Sequence, residues 1–182
     1  MKYQPHIRTA FLLACFILVV NQLSGCASAS KSVGMTAENI DLQHRQPYSV
    51  QVQVSGGHDT GALERSQISN EAFAEALVTS IEKSKLFTEI KQDENADYLL
   101  HVVLFDLEQP MFGGAFEVRM EAAWMLINRS NGETVWKKSI KSQHTAGVSD
   151  AFAGVTRIRL ATEGAAKNNI AQGIDLLSKL DL

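Results

Sequence analysis

The sequence predicts an α+β fold: a mainly antiparallel four-stranded sheet with two helices on one face, in the chain order β-α-β-β-β-α. Three observations predict it. Phe116, Val118, Met120, Ala122, Trp124 and Leu126 alternate with residues that include Glu117, Arg119 and Glu121, the period-2 mark of a half-buried strand. Phe73, Leu77 and Ile81, joined by Ala74 and Val78, form one apolar stripe at helical spacing. Asn131-Gly132 separates two strand-like runs, and that dipeptide favours tight hairpin turns. Two amphipathic helices on one face of such a sheet bury all of these stripes at once.

Taken in order, the first strand is residues 48–54, where Val50, Val52 and Val54 fall on one face. Residues 55–61, Ser-Gly-Gly-His-Asp-Thr-Gly, form a loop. Ser69 or Asn70 caps the helix that follows, with Glu71 in its first turn. The helix ends at Ser84-Lys85-Leu86-Phe87, and residues 88–91 suggest a short extended piece. Residues 97–108 are apolar on both faces, which places this strand centrally and covers it at least partly on both sides. Pro110-Met111-Phe112-Gly113-Gly114 turns the chain into the alternating strand, and residues 134–143 return with Val135, Trp136 and Ile140. The end is helical from about residue 151 to 180, with Ile158, Ala161, Ala165, Ile170, Ile174 and Leu177 inward and Arg159, Glu163 and Lys167 at i, i+4 spacing. Gly154, Gly164 and Gly173 weaken that helix by up to about 1 kcal/mol each; Gly154 marks a break, and small side chains permit close packing on the sheet.

Ahead of the domain stands a different kind of segment. Lys2 and Arg8 precede a ten-residue apolar run, residues 11–20, which gives way to Asn21, Gln22 and the sequence Leu23-Ser24-Gly25-Cys26. A membrane span needs about 20 apolar residues, so the run fits a secretory signal better than an anchor. The last four residues resemble the lipobox of bacterial lipoproteins. The resemblance implies cleavage between Gly25 and Cys26 and a Cys26 that carries diacylglycerol and an N-acyl chain (palmitate in the family's usual form), with no other cofactor. Ala27 in the next position implies, by the family's sorting tendency, delivery to the outer membrane. The alternative is an ordinary signal-peptidase site among the small residues 24–30.

This reading divides the chain into a cleaved signal at 1–25, a lipidated cysteine and flexible tether at 26–46, and a single periplasmic α/β domain at 47–182. The tether is small and polar at its start, although Ile40 and Leu42 are able to dock on the domain. Cys15 leaves with the signal and Cys26 takes lipid, so neither of the two cysteines remains for a disulfide, a metal or a nucleophile. The mature chain would hold 15 basic against 20 acidic residues, since the signal carries two of the 17 and none of the 20. A mildly acidic domain argues against nucleic acid and against a polybasic grip on anionic lipid.

A second resemblance covers about residues 48–180. A helix ending in Ser84-Lys85-Leu86-Phe87, a strand opening with Ala96-Asp97-Tyr98-Leu99-Leu100, and a hairpin with Asn131-Gly132-Glu133-Thr134-Val135-Trp136 are similar to a broad group of small envelope lipoproteins. Penicillin-binding-protein activators, the curli-secretion lipoprotein and the N-terminal domain of the Tol-system propeller protein belong to it. The resemblance implies a compact α/β domain that binds other envelope proteins and does no chemistry. No pore-forming insertion is present, so a curli-type pore is not implied.

Few residues suggest chemistry. The glycine-rich loop at 56–61 sits between a strand and a helix, yet no Lys follows as a phosphate loop requires. His58-Asp59 offers a base and a carboxylate, but adjacent loop residues seldom converge. His44, His101 and His144 lack the spacing that sets two metal ligands on one helix face, so no metal is expected. Met111 and Phe112, flanked by glycines at a hairpin tip, either contact a partner or membrane or fold back over the core; Phe152 in the loop at 143–152 is a second such candidate. The expectation is a non-enzymatic outer-membrane lipoprotein facing the periplasm and binding an envelope protein. An accessory role in lipid or substrate transport, or hydrolysis of an envelope polymer, stand as alternatives.

Overall fold

The computed structural model describes residues 28–62 and 64–182. Its elements are α1 (Ser32–Met35), β1 (Gln46–Ser55), α2 (Asn70–Ser84), β2 (Phe87–Ile90), β3 (Tyr98–Glu108), β4 (Phe116–Asn128), β5 (Thr134–Ala146) and α3 (Gly154–Leu177). The fold is α+β, with a mixed five-stranded sheet in the order β2-β1-β3-β4-β5 and three helices.

The fifth strand corrects the expected four. The short extended piece after α2 pairs parallel with the first half of β1, and β3 pairs parallel with its second half. Ile90 and Tyr98 both lie level with Val50. Residues 91–97 therefore carry the chain from one side of β1 to the other without a return helix. That passage is pinned at Ser49: its amide (2.8 Å) and hydroxyl (2.6 Å) donate to Asp97 Oδ2, and the Asp97 amide donates back to Ser49 Oγ at 3.0 Å. These hydrogen bonds hold the Asp97 carboxyl below its usual range. The β3–β4 and β4–β5 pairs are antiparallel, as expected.

One face of the sheet carries Val50, Leu100, Val102, Val118, Ala122, Trp124 and Leu126, all buried under α2 and α3. Ser69 caps α2 by accepting the Ala72 amide at 3.1 Å, and Lys85 ends it in the left-handed conformation. Gly154 begins α3 and does not break it. The other face corrects a second expectation. Leu99, His101 and Val103 are only half-buried and Phe105 is exposed, because no helix covers β3 on that side among the described residues.

The third correction concerns the segment read as a tether. Residues 30–45 run along the helices and do not behave as a spacer. Met35 is fully buried, and α1 packs on both α2 and α3. The Lys31 amide donates to Glu163 Oε1 at 2.9 Å, the Ala37 amide to Ser80 Oγ at 2.9 Å, and the His44 amide to the Ser178 carbonyl at 3.0 Å. Gly34 makes this possible: a Cβ there would stand 2.3 Å from a Glu163 carboxylate oxygen. The folded part thus begins near Ser30 and not at residue 47. The signal and Cys26 lie outside the described residues.

Candidate functional site

The strand directions gather three loops at one end of the sheet. β1 and β3 run parallel, β4 returns, and β5 runs back, so residues 56–62 and 64–69, 109–115 and 147–153 share an end. The pairing of Phe116 with Ala146 brings the last two loops side by side. Met111, Phe112, Val148 and Phe152 project there, with relative exposures of 76%, 84%, 64% and 96%. Of the two arrangements open to Met111 and Phe112, the chain adopts the projecting one. Single exposed apolar residues are ordinary; four large ones gathered on two adjoining loops make this end the candidate contact surface.

The base of this patch is well tied. Arg65 Nη1 donates to the Gln109 carbonyl at 2.7 Å, and Gln109 Nε2 donates to the Ser66 carbonyl at 2.6 Å and to Thr162 Oγ1 at 2.9 Å. The hairpin tip therefore stands on a hydrogen-bonded footing that joins it to the segment before α2 and to α3. Arg157 lies over the Phe116 ring at 5.3 Å, a cation–π contact that closes the root of the β3–β4 loop. Val148 and Arg65 belong to this surface but carry no sequence signal of it; only the strand directions bring them beside Met111.

The remaining candidates do not come together. In the glycine-rich loop, a Cβ on Gly56 would meet the Leu104 carbonyl at 2.1 Å and one on Gly57 would meet the Ile68 carbonyl at 2.6 Å. These glycines serve close approach of backbone to backbone, and the Gly57 amide is already taken by Asn70 Oδ1 at 2.8 Å. His58 and Asp59 are both exposed. His101 pairs with Ser55 Oγ at 3.0 Å on the open face of the sheet, and His44 is exposed at the opposite end from the loops. The His144 ring packs where a Cβ on Gly164 would fall. Among the described residues, no three His, Cys, Asp or Glu side chains stand close enough to hold a metal ion.

A shallow groove of about 380 Å³ crosses the open face and is lined by Asp106, Glu108, Arg119, Glu121 and Lys141 among others. Most of its charges are paired: Arg119 with Glu117 and Glu108, and Lys141 with Glu121. Hydrogen bonding from Ser139, helped by Lys141, holds the Glu121 carboxyl below its usual range, so it is poorly suited to act as an acid or base near neutral pH. Glu117 and Arg119 are exposed on this face, as the sequence suggested.

No protein-family model and no curated protein matches this sequence. Similar solved structures exist at low identity. A DUF330-family protein from Xanthomonas campestris superposes with a TM-score of 0.60 at 12% identity, over 78% of this chain and 89% of that one. The Minor Lipoprotein from Acinetobacter baumannii gives 0.52 at 10% identity, over 74% and 92%. A hypothetical protein from Chlamydia trachomatis gives 0.51 at 7% identity, over 72% and 98%. At such identities the likeness is one of fold.

Proposed function

We propose that this chain is a lipid-anchored envelope protein that acts by binding another envelope component and performs no chemistry of its own. The observation that carries the reading is the projection of Met111, Phe112 and Phe152 from adjoining loops on a tied footing. Exposed aromatic side chains lose little conformational entropy on binding and offer large apolar area, and methionine adds an adaptable apolar contact, which is what an interaction surface requires. The lipobox resemblance of Leu23-Ser24-Gly25-Cys26 supports the anchor, and Ala27 supports the outer membrane with the domain in the periplasm. The fold shared with the Acinetobacter baumannii lipoprotein agrees with that setting.

The test is crosslinking in intact cells, comparing wild type with a variant that carries Met111→Ser, Phe112→Ser and Phe152→Ser. A defined envelope component captured by wild type should fall at least tenfold in the variant, with the melting temperature unchanged. Equal capture by both would end the claim that this surface binds. A large loss of stability would mean that the side chains support the core.

A further inference from the structure

The described chain starts at the same end of the domain as the exposed apolar loops. Ser30 is buried; its hydroxyl meets Ser66 Oγ at 2.9 Å and its amide donates to the Gln67 carbonyl at 3.3 Å. The Ser66 carbonyl in turn accepts from Gln109, two residues before Met111. Only four residue steps separate Ser30 from Cys26, and a fully extended chain covers at most about 14 Å in four steps. The polar Asn131-Gly132 turn lies at the other end of β4, whose 13 residues span about 43 Å at the usual rise. A lipid on Cys26 therefore holds the loop end of the domain beside the bilayer, while the far turn stands up to a strand's length away from it.

From this we infer that the loop end rests on the membrane that holds Cys26, with Met111, Phe112, Val148 and Phe152 entering the lipid interface. The inference rests on the lipid-anchored reading above and deepens it: the envelope component that this surface meets is the bilayer itself. Phenylalanine and methionine are apolar enough to gain from entering the interfacial region, and the short connection spares them the entropic cost of finding it. Nearby charges are mixed, Arg65 against Asp59, Glu64 and Asp150. Docking thus draws on apolar insertion and not on a basic patch. One end of the fold is thereby turned toward lipid, and the open sheet face stands upright from the membrane.

The full lipidated chain, reconstituted in vesicles of phosphatidylethanolamine and phosphatidylglycerol at three to one, tests this with tryptophan as the probe. Phe112→Trp and Phe152→Trp are compared with Ser130→Trp at the far turn, with brominated acyl chains as quencher and the wild-type signal subtracted. The expected result is a blue-shifted emission at positions 112 and 152, quenched at least threefold, with position 130 unquenched. Emission at 112 and 152 that stays water-like and matches position 130 overturns the inference, as does a chain that fails to float with the vesicles. If quenching is absent while the triple serine variant still loses its crosslinked component, a protein covers the surface: the binding reading stands and the membrane inference falls. If quenching is present while protein capture is unaffected by the serine variant, the membrane inference holds and any protein contact lies elsewhere on the domain.

Discussion

Trp124 shows how much of the fold hangs on single residues. It is fully buried, its Nε1 donates to Asn169 Oδ1 at 2.9 Å, and Asn169 Nδ2 donates onward to the Ile140 carbonyl at 2.8 Å. The indole lies across Gly173, where a Cβ would stand 2.4 Å from the ring. Burial of the tryptophan was legible from its place in the alternating strand, and a close approach at the helix glycines was legible from their small size. That His144 meets Gly164 and Trp124 meets Gly173 was not, because the helix register over the sheet is set by packing. The burial of Asn169 has no sequence signal for a related reason: a polar residue inside a helical stripe reads as exposed until a buried partner is known. Gly173→Ala should cost about 1–3 kcal/mol by overpacking a rigid ring. A thermal melt would then show a Tm lower by several degrees, whereas an unchanged Tm would mean that the indole shifts freely.

At the scale of elements, the N-terminal segment departs furthest from its sequence pattern. It carries no apolar period, so the sequence reads as a spacer; yet an extended run with one helical turn needs no period to dock. One deep side chain, Met35, and a few backbone hydrogen bonds hold it. Glu163 is the chief polar anchor. It is 3% exposed, pairs with Arg159 at 2.7 Å, and accepts the Lys31 amide. The Arg159–Glu163 spacing was visible in the sequence, but its purpose was not, since the segment it fixes lies some 130 residues away. The extended piece that became β2 was legible, but its place in the sheet was not: four residues are too few to show a period, and their partner in β1 is chosen by the α2 crossover. Glu163→Ala removes the acceptor at Lys31. Hydrogen exchange should then quicken at least tenfold at residues 31–37 while the middle of α3 stays protected. Unchanged exchange at 31–37 would assign the docking to Met35 alone.

The whole molecule is polarised in two directions. Along the strands, one end is apolar and carries the start of the described chain, and the other is polar. Across the sheet, helices cover one face and the other is open, which the apolar character of β3 on both sides concealed. Leu99, Val103, Met125 and Ile127 are half-buried there by their neighbours within the sheet. Openness raises the question of the edges, because an unpaired strand invites another. At one edge β2 is only four residues long, but β5 offers 13 at the other. Lys137, Lys138 and Lys141 are exposed along it, and charge on an edge strand is a recognised guard against edge-to-edge pairing. Replacing all three by threonine keeps β-propensity and removes the repulsion between copies. In size-exclusion chromatography with light scattering, the variant should show a larger mass than wild type at equal concentration, with an unchanged circular dichroism spectrum. Equal masses would mean that strand twist and the polar residues between the lysines protect the edge by themselves, and that the lysines have another purpose.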